Sequence, residues 1–264
     1  MYATNYHRAS SVDEAVKLLS DTSEGKYVSG GMTLIATMKQ RLASPSDLVD
    51  LRHIPALKGI RVDGRRVTIG AATTHAEVAS SAAIRAVCPA LCDLAGMIGD
   101  PHVRHMGTIG GSVANNDPAA DYPSAILGLG ATIVTDRRQI AADDFFTGLF
   151  ETALEEGELI TAITFEAPEK AGYAKFPNPA SRYAMTGVFV AKGTGGVRVA
   201  VTGAGADGVF RHDGMEQALA ANWSPDALAN VAIDSSALLS DLHATAEYRA
   251  NLIKVMAKRA AAAA

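Results

Sequence analysis

Val12, Ala15, Val16, Leu18 and Leu19 recur at helical spacing, so a first apolar stripe runs from residue 12 to about residue 20. Ser10 or Ser11 stands where an N-cap belongs. Asp13 and Glu14 fall in the first turn, where the helix dipole favours negative charge. Short apolar runs follow. Residues 26–29 and 47–51 each read as a strand, and Leu34, Ile35 and Met38 place a helix over 33–41 between them. Ile60 and Val62 alternate on one side of Asp63-Gly64, and Val67 and Ile69 on the other, which predicts a hairpin over 59–70. Thr74 and Glu77 have the spacing of a capping box that opens a helix. Helical segments follow over 84–87 and 90–98. Residues 131–135 and a run beginning at Ile140 pair as strands about the turn 136–139. Residues 144–148 make an aromatic corner, and 158–165 a closing strand.

The pattern changes after the polar, Pro- and Gly-containing segment 166–172. Three strand-like runs, 173–176, 187–192 and 197–203, are separated by polar or glycine turns and predict an antiparallel meander. Helices are expected over 214–221, over 224–231 with Ser224 as cap and Pro225 at the first position, and from Ala244 onward. The alanines after Arg259 read as a frayed end. The chain thus divides into residues 1–170 and a sheet-plus-helices domain over 171–264. The fold class is α+β.

Two stretches stand outside this periodicity. The longer, 100–123, packs Gly107, Gly110 and Gly111 around Thr108 and Ile109, then adds Ser112, Asn115, Asn116, Asp117 and Asp121 between prolines. Glycines let a backbone approach a ligand, and successive N–H groups in such a turn make an anion site. Hydroxyls of Thr108 and Ser112 can donate to phosphate or ribityl oxygens, and ionised Asp117 and Asp121 can accept from sugar hydroxyls. A Gly/Asn/Asp/Pro segment also suits plain turns. The shorter stretch, 27–34, repeats the logic: an apolar run enters Gly30-Gly31 and Thr33. Two such loops are what a dinucleotide pyrophosphate needs.

Composition narrows the class. The chain has 264 residues, 48% hydrophobic and 20% charged, within the globular range and ample for a core. A formal net charge of −4 gives no argument for nucleic acid or an anionic membrane. Cys88 and Cys92, the two cysteines, cannot supply four ligands for an iron–sulfur cluster or structural zinc and read as buried thiols. The N-terminus has no apolar signal region, and no apolar run is long enough to span a bilayer, so a cytoplasmic location is expected. Gly203-Ala204-Gly205-Ala206-Asp207-Gly208 spells a dinucleotide fingerprint after a strand. No helix opens on it and too little chain follows for a Rossmann sheet, so it reads as a turn. His75 reads as a structural residue of its helix.

Ser29-Gly30-Gly31-Met32-Thr33-Leu34, followed by Met38-Lys39 and 47–51, resembles the first flavin loop of the molybdenum hydroxylases. Residues 107–114, followed by Asp117 and Asp121, resemble the second. The resemblance is closest to the FAD-carrying medium subunit of the aerobic carbon monoxide dehydrogenase type, and extends to the FAD domain of xanthine dehydrogenase. It implies a FAD-binding domain of two α/β subdomains of the vanillyl-alcohol-oxidase-like (PCMH) kind. It implies that Ser29, Gly30, Gly31, Met32, Thr33 and Leu34, with Gly107, Thr108, Ile109, Gly110, Gly111 and Ser112, clamp the FAD pyrophosphate largely through backbone N–H groups. It places Asp121 on ribityl or ribose hydroxyls, Lys26 at the adenine end, Ile98 and Ile160 against the isoalloxazine, and Lys175 near its pyrimidine edge. Met32 departs from the polar residue usual at its position, and Ser112 replaces the asparagine of the xanthine dehydrogenase branch.

The function implied is electron transfer. Molybdopterin on a large subunit and [2Fe-2S] clusters on a small subunit would deliver electrons to FAD here, and an external acceptor would remove them, in a dimer of heterotrimers. No residue of this chain is assigned a catalytic or metal-binding role. Two other readings stay open: a stand-alone FAD oxidoreductase, with His102 and His105 as the candidate bases, and a scaffold without flavin.

Overall fold

The computed structural model describes residues 1–264. The chain begins with alternating strands and helices: β1 (Asn5–Arg8), α1 (Val12–Ser20), β2 (Lys26–Val28), α2 (Leu34–Lys39) and β3 (Asp47–Asp50). Ser11 caps α1 by accepting from the Glu14 N–H at 3.1 Å. The strands form a parallel sheet in the order β1-β3-β2. Parallel strands need crossovers, and α1 and α2 supply them. Ala9, Ala15, Val49, Leu51, Ile54 and Leu57 form a small core beneath this sheet, which Ala72 and Leu159 of the next unit complete.

The second unit opens with the hairpin β4 (Ile60–Asp63) and β5 (Arg66–Gly70), turning at Asp63-Gly64 as expected. Helices α3 (His75–Ser80), α4 (Ala82–Val87) and α5 (Pro89–Gly96) follow, and the Thr74/Glu77 capping box is present at both of its bonds. The stretch 100–123, expected as an open loop, is largely helical: α6 (Pro101–Met106), α7 (Ile109–Asn115) and the start of α8 (Tyr122–Gly128). Local capping explains the difference. Asp100 accepts from the Val103 N–H with Pro101 in the first turn, and Thr108 accepts from the Gly111 N–H, so each short segment has its own start signal. Asn116, left-handed at φ 42°, stops α7.

Strands β6 (Thr132–Thr135) and β7 (Gln139–Ala141) follow, then α9 (Ala142–Phe145), the small hairpin β8 (Phe146–Gly148) and β9 (Glu151–Thr152), and β10 (Ile160–Glu166). An antiparallel sheet in the order β4-β5-β10-β6-β7 results, and its inner face and α3–α5, α7 and α8 enclose a core of 31 buried residues.

The last unit is β11 (Lys170–Pro177), β12 (Ala184–Gly193) and β13 (Gly196–Thr202), the expected meander, plus a two-residue fourth strand, β14 (Phe210–Arg211). Helices α10 (Asp213–Ala221) and α11 (Ala246–Ala263) cover one face. Two expectations change. The helix expected over 224–231 is one 3₁₀ turn, Pro225–Leu228, because Leu228 alone of its side chains is buried and no apolar stripe rewards a longer helix. The alanine tail is not frayed: Ala257, Ala260 and Ala261 are buried, and the Ala260 carbonyl lies over Gly172 of β11, where a Cβ would come within 2.0 Å of it. Small residues let this helix lie close on the strand.

The Gly203–Gly208 segment is a turn, as read. Gly203 (φ 80°) and Gly208 (φ 105°) need the left-handed region, and the next helix starts only at Asp213. The third sheet packs on the second unit, giving Ala171, Tyr173, Phe189, Ala191 and Ala200 to the 31-residue core, and main-chain bonds also tie it to residues 118–120. The Gly203 N–H donates to Pro118 O, the Thr202 hydroxyl lies within reach of Pro118 O and Ala120 O, and the Ala184 N–H donates to Ala119 O. Residues 118–121 are therefore held from behind.

Candidate functional site

The two glycine loops meet. A Cβ on Gly30 would lie 2.2 Å from the Met106 carbonyl oxygen and 2.6 Å from Gly107 Cα, so the loops touch backbone to backbone at this point. The Thr108 hydroxyl donates to Ser29 Oγ at 3.1 Å across the junction. The junction borders a cavity of about 1340 Å³ lined by residues of both the first and the second unit. Drug-sized pockets are about 300–1,000 Å³, so this one suits a larger ligand.

The first loop is built to donate. None of the backbone N–H groups of Ser29, Gly30, Gly31, Met32, Thr33 and Leu34 has an acceptor within the protein. Gly31 at φ 69° turns the chain at their centre. Concentrated free N–H groups of this kind suit an anion. The Ser29 hydroxyl, which accepts from Thr108, keeps its own proton for a ligand.

The second loop works differently from the expectation. The Ile109 N–H donates to Thr73 O, that of Gly110 to Ala71 O, that of Gly111 to the Thr108 hydroxyl and that of Ser112 to Thr108 O. Only the Thr108 N–H of this run is without a protein acceptor. The Thr108 hydroxyl has already committed its proton to Ser29 and also receives from Gly111, so it has no donor left for a ligand. The second loop thus supplies mainly shape. Gly110 lies against Ala71, where a Cβ would meet the Ala71 Cβ at 2.5 Å, whereas Gly111 is exposed and meets only the Thr108 hydroxyl.

Fifteen of the seventeen residues proposed from the sequence line the cavity, including Lys26, Met32, Ile98, Ser112, Asp121 and Ile160. The exceptions are Ile109 and Lys175. Ile109 points into the core, fully buried, because it lies on the packed face of α7. Lys175 stands behind the cavity wall. Its ammonium donates to Asp121 at 2.9 Å and to the Met97 carbonyl at 3.2 Å, with its side chain 3% exposed. Tyr173 also donates to Asp121, at 2.5 Å. Burial pushes the Asp121 carboxyl up and the Lys175 charge opposes that shift. Asp121 is therefore a braced carboxylate, and Lys175 fixes the carbonyl next to Ile98. A carboxylate has room for about four hydrogen bonds, so Asp121 can still accept from a ligand hydroxyl.

Several lining residues were not singled out. Tyr27 donates to Gly157 O at 3.1 Å, and burial pushes its phenol up to about 12. Glu158, whose side chain is buried, is held down at about 2 by the Arg138 guanidinium. Leu51, Leu57 and Leu159 give the floor an apolar strip, and Arg182 and Tyr183 border the cavity from the third unit. His75 also lines it. Hydrophobic runs and a helix start hid these residues, because no local signal separates a floor residue from a core residue. His102 and His105 do not line this cavity. Both are exposed, and His105 Nδ1 is 2.7 Å from Pro101 O.

FAD fits these groups. The free N–H groups suit its pyrophosphate, the Ser29 and Ser112 hydroxyls and Asp121 suit its ribityl chain, and Ile98 and Ile160 offer apolar contact to a ring.

Comparison with known proteins points the same way. Residues 2–167 match the family model described as FAD binding domain in molybdopterin dehydrogenase. The carbon monoxide dehydrogenase medium chain of Hydrogenophaga pseudoflava is 34% identical over 97% of this chain and 94% of its own length. The nicotine 6-hydroxylase medium subunit of Paenarthrobacter nicotinovorans is 32% identical over 97% of this chain and 95% of its own. A chain in the structure of reconstituted CO dehydrogenase from Oligotropha carboxidovorans superposes with a TM-score of 0.90 at 34% identity, covering 100% of this chain and 99% of that one.

Proposed function

Because the chain belongs to the family of FAD-binding domains in molybdopterin dehydrogenases, we propose that it is the FAD-carrying electron-transfer subunit of a heteromeric molybdenum hydroxylase. The single observation that carries the reading is the junction of the two loops: a run of backbone N–H groups without acceptors borders a cavity of about 1340 Å³, large enough for a dinucleotide. FAD bound there supplies the redox chemistry, and the protein supplies position and electrostatics.

The residues divide the work. Ser29 to Leu34 hold the pyrophosphate through N–H groups. Gly30 and Gly107 let the two loops close on each other, Gly110 lets α7 seat on Ala71, and Gly111 leaves room for the ligand. Asp121, braced by Lys175 and Tyr173, accepts from a sugar or ribityl hydroxyl. Lys26 frames the adenine end, and Ile98 and Ile160 exclude water at the ring. Lys175 acts on the ring end through the Met97 carbonyl and Asp121, not by facing it.

The partners follow from the family, and composition is consistent with them. Cys88 and Cys92 are both buried, and burial pushes the Cys88 thiol up to about 12. Two cysteines cannot hold a [2Fe-2S] cluster. By analogy with the family, a small iron–sulfur subunit would deliver electrons and a large molybdopterin subunit would oxidise substrate. A dimer of such heterotrimers in the cytoplasm is the assembly proposed. No helix is long and apolar enough to cross a membrane. Residues 1–170 form the FAD-binding part and 171–264 the part that braces it from behind.

The test is a complex co-purified with both partners and then stripped of flavin. Reducing equivalents supplied at the large subunit should still bleach the iron–sulfur absorbance, while reduction of an external dye acceptor stops and returns on adding FAD. Undiminished dye reduction in the stripped complex would refute the role.

A further inference from the structure

His75 is the first residue of α3, 5% exposed, and it lines the cavity. It makes no hydrogen bond from either ring nitrogen. Nδ1 is wholly buried without a partner. Nε2 also lacks a protein partner but is not wholly occluded, and the residue lines the cavity. Nε2 sits beside Gly107, where an added Cβ would lie 2.5 Å from it. Gly107 in turn touches Gly30. The imidazole is thus at the junction of the two loops, on the cavity side.

A buried polar atom left without a partner costs about 1–3 kcal/mol, and such atoms in a folded protein call for an explanation. A satisfied structural histidine would have at least one bond. A hydrophobic residue of similar size would fill the site at lower cost to the fold. Burial, with the Arg104 charge nearby, holds the ring neutral by pulling it down to about 4. A neutral ring carries one N–H. A buried N–H without an acceptor is costlier than a buried lone pair without a donor, so the proton belongs on Nε2. His75 therefore presents a donor to the cavity, next to the donors of the first loop.

We propose that His75 is a ligand-binding residue: its Nε2–H donates to an oxygen acceptor of bound FAD, a phosphate or ribityl oxygen, where the ligand passes the Gly30–Gly107 junction. The inference rests on the FAD reading above and adds an imidazole donor beside the main-chain donors of the first loop. It also explains why position 107 takes glycine, since a Cβ there would displace the ring.

The test uses the full chain, freed of flavin and titrated with FAD, with thermal unfolding of the flavin-free form measured in parallel. His75→Leu removes both unpartnered nitrogens. It should unfold at the same or a higher temperature than the unsubstituted chain while binding FAD about ten- to a hundredfold more weakly, the range of one hydrogen bond to a charged or strongly polar acceptor. His75→Gln, which retains a donor near the Nε2 position, should recover most of that loss. A Leu variant that binds FAD as tightly as the unsubstituted chain overturns the proposal. So does one that unfolds at a clearly lower temperature, because the ring is then part of the fold's own bonding, and so does a Gln variant as weak as Leu. An unsubstituted chain that takes up no FAD fails the functional reading itself, which separates the two.

Discussion

Replacing Gly110 with alanine should damage the fold, whereas the same change at Gly111 should damage ligand binding. At position 110 the new Cβ would lie 2.5 Å from the Ala71 Cβ, 2.8 Å from the Ala71 carbonyl oxygen and 2.9 Å from its Cα. Two of these are backbone atoms of the segment leaving β5, so no side-chain rotation relieves the contact. Helix α7 must withdraw, and withdrawal stretches the Gly110 N–H···O Ala71 bond of 2.9 Å and the neighbouring Ile109 N–H···O Thr73 bond of 3.0 Å. Overpacking of this kind costs about 1–3 kcal/mol, and weakening one or both bonds adds about 0.5–1.5 kcal/mol each. Alanine recovers about 1 kcal/mol of helix propensity. The net loss is about 0.5–5 kcal/mol. At position 111 the Cβ meets only the Thr108 hydroxyl at 2.9 Å and otherwise projects into the cavity. Gly111→Ala should leave stability within about 1 kcal/mol of the original, the size of the propensity gain. Its FAD affinity should fall. Urea unfolding of the flavin-free chains, with FAD titration of each, is the assay. A Gly110→Ala chain with an unchanged urea midpoint would refute the reasoning, as would a Gly111→Ala chain that is destabilised yet binds FAD normally.

Other consequences follow from the same contacts. Lys175→Met leaves the Asp121 carboxylate buried with Tyr173 alone, and breaking a buried pair costs about 3–5 kcal/mol; Asp121→Asn combined with Lys175→Met should restore part of it, and additive losses in urea unfolding would argue against the pair. Glu158 sits in the folded chain at about 2, below its ordinary value of 4.5. A depressed carboxylate stabilises the fold above the unfolded value and loses that contribution as pH falls through the folded one. The stability gap between the unsubstituted chain and Glu158→Gln should therefore be full above about pH 5 and close between pH 5 and 2; a gap constant down to pH 2.5 would remove Glu158 as its source. Gly172→Ala places a Cβ 2.0 Å from the Ala260 carbonyl and should lift α11 from β11, lowering the unfolding temperature by several degrees. Deleting residues 260–264 should do the same by exposing the groove that Ala260 and Ala261 fill; unchanged melting of either chain would mean that the tail contributes nothing.

Much of this architecture was legible because its signals are local. The Thr74/Glu77 capping box, the Asp63-Gly64 hairpin and the turn between the apolar runs of β12 and β13 each lie within a few residues. The two glycine loops were legible as a pair for the same reason. What the glycines do was not. Gly30 and Gly110 are glycines chiefly because another backbone lies against them, that of Met106 and Gly107 in one case and that of Ala71 in the other; Gly111 faces the ligand space. Hydroxyl and carboxylate roles were similarly hidden. Thr108 is occupied by Ser29 and Gly111, and the partners of Asp121 lie 52 and 54 residues further along the chain. The helical character of 100–123 was missed because its glycine and asparagine content outweighed two good caps, Asp100 and Thr108, in the reading. The alanine tail read as frayed because alanine carries little apolar area, and its burial depends on the groove at Gly172.

The central claim is that the loop junction holds FAD. Its most direct test is the absorbance spectrum of the purified full chain, followed by denaturation and chromatographic identification and quantitation of the released flavin. The account predicts a flavin spectrum and about one FAD per chain, taken up again by the stripped chain and lost in Gly111→Val, whose branched side chain would project into the cavity. A colourless chain that takes up no FAD, or one that releases flavin equally well with the junction blocked, would contradict it.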